Sequence, residues 1–186
     1  MSIQTEIDMN FKIIETKRLL LRPIGINDAQ DFFELDSNPK VHEFLGNNSV
    51  KTIEESHAAI AHVLQQYKTY GLGRLAVIEK STNSFIGWAG IKYEENFRKE
   101  FSYYDLGYRF KEDFWGKGYA TEAAMASLNY GFNDLKLREI CAAAAINHVA
   151  SNSILKKVGM QASGTFNSIS GRCNWYILKK SCFKEL

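Results

Sequence analysis

The stretch Phe114-Trp115-Gly116-Lys117-Gly118-Tyr119-Ala120-Thr121-Glu122-Ala123-Ala124 constrains the fold most, because a turn with two glycines runs directly into a run of strong helix formers. The first N–H groups of a helix have no partner inside it, and the helix dipole concentrates partial positive charge at that end. Gly116 and Gly118 let the backbone curl close to an anion, and Lys117 adds a mobile cation at the rim. Spacing alone leaves two readings, a tight turn and an anion-holding loop. The segment GKGYAT fits neither the GxxxxGK[ST] phosphate loop nor the GxGxxG dinucleotide fingerprint.

A chain of 186 residues with 45% hydrophobic and 24% charged residues is long enough for one well-buried core and short for two. The expected organisation is a flexible arm over residues 1–10 followed by one domain over 11–186. A net charge of +2 is too small a bias to argue for nucleic acid or an anionic membrane as partner. Cys141, Cys173 and Cys182 are odd in number, form no CxxC pair and come with four scattered histidines, so neither a disulfide framework nor a metal site is supported. Reduced thiols, a polar amino terminus and no apolar run of about 18 residues point to a cytoplasmic, soluble protein.

In chain order, Ile13 to Pro23 reads as a first strand stopped by proline. Asn27 and Asp28 can cap a helix bearing Ala29, Phe32, Phe33 and Leu35. Asn38-Pro39 breaks the chain, and Thr52 opens a second helix to about Tyr70. His57 and His62 on that helix read as surface residues, since five-residue spacing does not stack them on one face. Leu75–Ile78 and Phe85–Ile91 predict a hairpin, and Phe101–Phe110 a strand leading into the glycine turn. A helix from Thr121 to about Asn133 follows, with Ala120, Ala123, Ser127 and Gly131 small enough for close approach to a sheet. Ile140–Ile146 is alanine-rich but short and lies between two helices, so it reads as a crossover strand. A helix over Ala150–Val158 ended by Gly159 and a last hairpin around Ser170-Gly171 complete a mixed α/β order, β-α-α-β-β-β-α-β-α-β-β.

Three segments together, Tyr104-Asp105-Leu106-Gly107-Tyr108-Arg109-Phe110, then WGKGYATEA, then Ser151-Asn152-Ser153-Ile154-Leu155-Lys156-Lys157-Val158-Gly159-Met160, resemble the GNAT superfamily of N-acetyltransferases, and more narrowly its RimJ/RimL branch. The opening Thr16-Lys17-Arg18-Leu19-Leu20-Leu21-Arg22 is similar to that family's T-x-R-L-x-L-R, and the likeness covers about residues 11 to 180. The resemblance implies the GNAT fold: a central mixed, mostly antiparallel sheet with a splayed parallel pair in the middle and helices on both faces. It implies acetyl-CoA as cosubstrate, no metal, and a homodimer as a frequent state. It places the pyrophosphate on the backbone of Trp115, Gly116, Lys117, Gly118, Tyr119, Ala120 and Thr121, with Trp115 standing where the family usually has Gln or Arg. It places the pantetheine arm along Tyr108, Arg109 and Phe110 as an added strand, with Asn147 and Asn152 beside it.

Acyl transfer to an amine needs a neutral nucleophile and a proton for the departing thiolate. The family's usual tyrosine acid falls on Leu155 here, and its asparagine on His148. Ser151 matches a serine that the branch keeps as a suggested proton donor, although a serine there is equally suited to capping the helix. Asp105 is the candidate base, with Glu122, Glu94 and Glu95 behind it. An α-amine with a pKa of about 8 is partly neutral at pH 7, whereas a lysine-type amine near 10.4 costs roughly 4.6 kcal/mol to deprotonate. The expected function is therefore acetylation of an N-terminal α-amine of a protein or peptide. A small-molecule amine as acceptor and a non-catalytic acyl-CoA sensor are the alternatives.

Overall fold

A computed structural model describes residues 12–98, 100–168 and 171–184. The arm expected over residues 1–10 lies outside the described residues. One sheet of eight strands organises the fold: β1 (Ile14–Glu15), β2 (Leu19–Pro23), β3 (Arg74–Glu79), β4 (Ser84–Glu94), β5 (Tyr103–Phe110), β6 (Glu139–Ala145), β7 (Gln161–Ser168) and β8 (Gly171–Lys179). Their spatial order is β1-β2-β3-β4-β5-β6-β8-β7, and every neighbouring pair is antiparallel except β5 and β6. Among the described residues five α-helices cover it: α1 (Ala29–Asp36), α2 (Pro39–His42), α3 (Ile53–Tyr70), α4 (Tyr119–Asn129) and α5 (Val149–Lys157).

Strand alternation assigns the helices to faces. Along β3, Leu75 and Val77 join Ile86, Phe110, Tyr119 and Ala123 under α4, while Ala76 and Ile78 join Phe32, Leu35, Ile60 and Phe85 under α1 and α3. Helix α4 lies close to the sheet because Ala123, Ala124 and Ser127 are buried against it, and Gly131 just beyond leaves room for Ile91 and Ile140. The alanine-rich segment is strand β6, and its partners from Lys179 to Cys173 on β8 explain why strand overrides helix propensity there. The α4 helix ends earlier than its composition suggests, closing in a wider turn over Tyr130–Asp134 in which Leu135 N–H reaches back to Tyr130 O at 3.0 Å.

Two local readings change. The run Ile13 to Pro23 is two strands, because Thr16 N–H donates to Leu19 O and Leu19 N–H to Thr16 Oγ1, both at 2.9 Å, which closes a turn between them. Asn38-Pro39 starts a helix: Asn38 Oδ1 accepts from Lys40 N–H at 3.0 Å and Pro39 takes the first helical position, where no amide donor is needed. His57 and His62 are exposed on α3, in keeping with a surface role.

The β4–β5 ladder runs in register from Gly87 opposite Phe110 to Glu94 opposite Tyr103. By contrast β5 and β6 share a single register pair, Asp105 opposite Cys141, and part beyond it. That parting positions the candidate site. At the far end of β5 the backbones of β4 and β5 press together, so a Cβ on Gly87 would lie 2.2 Å from Arg109 O and 2.8 Å from Phe110 Cα. Gly87→Ala is expected to lower stability by about 3 kcal/mol, since backbone atoms of a central strand cannot move aside; a denaturant midpoint equal to that of the parent would contradict this.

Candidate active site

Strand β5 ends at Phe110, and a 3-10 turn over Glu112–Phe114 carries the chain into the glycine loop. Trp115 fixes the loop's entry by donating its indole N–H to Phe110 O at 2.7 Å. Gly116 (φ 72°) and Gly118 (φ 82°) both adopt the left-handed region, and Gly118 caps α4. The first helical rung is Glu122 N–H to Gly118 O at 3.1 Å, so the amides of Tyr119, Ala120 and Thr121 precede it at the positive end of the dipole. Lys117 is exposed, its ammonium 5.4 Å from the Phe114 ring centre. These features fit a diphosphate.

Arg18, which sequence reasoning left without a role, reaches this loop. Its Nη1 donates to Lys117 O at 2.9 Å, its guanidinium lies 4.3 Å over the Tyr119 ring, and its Nε pairs with Glu122 at 2.7 Å. Glu122 also accepts from Thr16 Oγ1 at 2.6 Å and Arg18 N–H at 2.9 Å. Burial opposes the charge on Glu122, but these bonds outweigh it and hold the carboxyl below its ordinary value. Glu122 is thus a clasp between the β1–β2 turn and α4, not a base. A groove of about 710 Å³ runs from this clasp along α4, lined by Ile14, Arg18, Gly118, Thr121 and Met125 among others.

Where β5 and β6 part, Tyr108 points to the α4–α5 face and meets Ser151. The two hydroxyls lie 3.1 Å apart, and Tyr108 Oη is 3.2 Å from Ser151 O. Burial pushes the Tyr108 phenol well above its ordinary value, so it stays protonated at working pH. Ser151 does not cap α5: the cap position is His148, and Ser151 lies inside the first turn. Leu155 is 1% exposed and fills the core where the family's tyrosine would stand.

Asn152 is fully engaged in structure. Its Nδ2 donates to Ala145 O and His148 O, each at 2.8 Å, and its Oδ1 accepts from Asn174 Nδ2 at 2.7 Å and Tyr176 Oη at 2.8 Å. The side chain therefore braces the end of β6 and holds α5 to β8, while Asn147 is exposed in the turn after β6. His148 stacks on Phe44 at 4.2 Å, and burial lowers its pKa below the ordinary value, which favours the neutral ring.

On the opposite face of β5 lie Asp105, Gly107 and Arg109. Arg109 turns away from the cleft to pair with Asp36 of α1 at 2.6 Å, its guanidinium 5.0 Å over Trp88. Arg74 crosses the sheet over Gly90 and Gly107, donating to Gly90 O, to Asp105 O at 2.6 Å and to Asp105 Oδ2. A Cβ on Gly107 would stand 2.5 Å from Arg74 Nη2, so the glycine makes the crossing possible. Burial drives the Asp105 carboxyl above its ordinary value despite Arg74 beside it. Glu94 is paired with Lys92, and Glu95 accepts from the Tyr70 hydroxyl.

The parting of β5 and β6 thus lies beside the glycine-capped start of α4. Residues 18–161 match the family described as the Acetyltransferase (GNAT) domain. The uncharacterized N-acetyltransferase YoaA of Bacillus subtilis (strain 168) is 30% identical over 155 residues, 83% of this chain and 85% of its own. A crystal structure of a GNAT-family acetyltransferase from Bacillus anthracis superposes with TM-score 0.74 at 26% identity, covering 91% of this chain and 99% of the other. At 17% identity the fold alone is shared with a ribosomal-protein-S5-alanine acetyltransferase from Vibrio fischeri, TM-score 0.73 over 94% of this chain and 100% of the other. The chain belongs to the GNAT family and is an N-acetyltransferase. Among the described residues no group of His, Cys, Asp and Glu is placed to hold a metal ion, and no helix is long and apolar enough to cross a membrane.

Gly118→Asp sets a side chain at a left-handed backbone position and a negative charge against the bound phosphates. It is expected to weaken acetyl-CoA binding by at least about a hundredfold, or roughly 2.7 kcal/mol. Calorimetric titration checks this; an unchanged Kd would remove the loop from its role.

Proposed function

We propose that the protein transfers the acetyl group of acetyl-CoA to the N-terminal α-amine of a protein or peptide. The observation that carries the chemistry is the 3.1 Å approach of Ser151 Oγ and Tyr108 Oη where β5 and β6 part. Acetyl-CoA supplies an activated thioester, held by the amides of the 115–121 loop and by the β5 segment Tyr108, Arg109 and Phe110, where Tyr108 faces the parting from β6. As the C–N bond forms and the C–S bond breaks, Ser151 Oγ gives its proton to the departing sulfur. Tyr108, kept protonated by burial, orients Ser151 by hydrogen bonding without giving up its own proton, and Ser151 regains its proton from solvent once the thiol has left, as Asp105 returns its proton there.

Asp105, on the face away from α4 and α5, receives the proton released by the attacking amine. Arg74 engages Oδ2 and leaves Oδ1 for that purpose. Burial strengthens this carboxylate as a base, and the ion pair with Arg74 limits that gain. The carboxylate suffices for an α-amine that is already partly neutral, and falls short of what a lysine-type amine requires. The likeness to the Vibrio fischeri enzyme is one of fold, so the choice of acceptor rests on this site.

Acetyl-CoA-dependent thiol release is expected with short peptides bearing free Ser or Ala termini, and not with polyamines or free amino acids. Turnover confined to the small amines would overturn the acceptor assignment. Ser151→Ala is expected to reduce kcat by about a hundredfold or more with cofactor affinity unchanged, and Tyr108→Phe by a smaller factor. A raised phenol pKa keeps the acid form, so kcat should show no alkaline decline below the ordinary tyrosine value of 10.0. A decline centred near pH 8 that disappears in Tyr108→Phe would contradict a Tyr108 phenol kept protonated by burial.

A further inference from the structure

On the proposed acceptor face, the far half of the sheet carries aromatic residues with no helix over them among the described residues. Tyr103 of β5 packs against Trp175 of β8 with ring centres 4.7 Å apart, and Phe166 and Phe101 stand 5.7 and 5.8 Å from the same indole. One side chain sits among them: the Arg98 guanidinium lies 4.8 Å from the Phe101 ring, 4.8 Å from Phe166 and 5.0 Å from Trp175. Its stem and head are 18% exposed, and Glu100 at 3.3 Å is its one polar partner among the described residues. Three ring faces turned on one guanidinium make a cation-selective box, because each face presents the negative lobe of the ring quadrupole.

We infer that this box of Phe101, Phe166 and Trp175 recognises a cationic side chain of the acceptor, and that Arg98 is an internal stand-in which the acceptor displaces. The inference rests on the reading of the Asp105 face as the acceptor side. Distance supports it. Tyr103, the floor of the box, precedes Asp105 by two residues on the same face of β5, which is about 7 Å along a strand. Trp175 stands opposite Ala143 on β6, just past the Asp105–Cys141 pair where the strands part. An amine held at Asp105 would thus have the box within one extended residue. Exposed Glu100 at the rim adds negative charge of the sign such an acceptor needs. The substrate class is then a peptide whose free α-amine is followed by an Arg or Lys side chain.

The test compares two peptide amides, Ser-Arg-Gly-Gly and its neutral isostere with citrulline in place of arginine. Each is titrated calorimetrically into the full chain saturated with CoA. The wild-type protein is expected to bind the arginine peptide about fivefold more tightly than the citrulline one. Arg98→Ala, which empties the box, should tighten the arginine peptide by a further factor of about ten and leave the citrulline peptide unchanged. Phe166→Leu should erase the preference while a thermal melt shows the fold retained. Equal affinities for both peptides in the wild type and in Arg98→Ala would overturn the inference. Thiol release read on the same samples separates the two claims. Preference in binding without acetylation of either peptide sinks the acceptor assignment and keeps the box; acetylation of both without preference sinks the box alone.

Discussion

The single register pair between β5 and β6 is the constraint on which everything else depends. Beyond Asp105 and Cys141 these strands no longer pair with each other, and each continues its ladder only on its other side, β5 with β4 and β6 with β8. Backbone groups facing the gap must be satisfied by something, and an extended chain bearing amides meets that need as an added strand would. The same parting delivers Tyr108 to one face and Asp105 to the other. On the reading proposed above, the donor for the sulfur and the acceptor for the amine's proton therefore lie on opposite faces of the sheet.

Keeping the gap open depends on braces that hold its two sides. Asn152 ties the end of β6 to α5 and β8 through four hydrogen bonds. On the other side Glu122, Thr16 and Arg18 lock the β1–β2 turn against the first turn of α4, so the amides that open this helix are held by a turn remote in sequence. Arg74 pins β3, β4 and β5 together from the face that carries Asp105. Each brace couples a polar group in the site to the packing of the sheet, so the site's geometry is a property of the whole fold.

Much of this was legible in the chain. Period-two and period-3.6 patterns located the long strands and helices, and the paired glycines located the left-handed turn that opens α4. Local chemistry misled in two places: proline at Pro39 begins a helix as well as it breaks one, and a threonine turn at Thr16 splits a run that reads as continuous strand. What stayed hidden depends on residues far apart in sequence. Alternation gives the face of Tyr108, but not that its hydroxyl reaches Ser151 forty-three positions later. Likewise Arg18 stood in a quoted motif without a role, because its partners Lys117 and Glu122 come together only when the sheet forms. Asp105 read as an available base, and only the crossing of Arg74 over two glycines reveals how far it is already committed.

The central claim, that acetyl-CoA occupies the parting of β5 and β6 and the loop before α4, is tested most directly by amide hydrogen exchange with and without acetyl-CoA. Added protection is expected at the amides of residues 106–110 and 116–121, with little change on β2 and β3, whose ladders are already complete. Protection elsewhere with both segments unaffected would contradict the account.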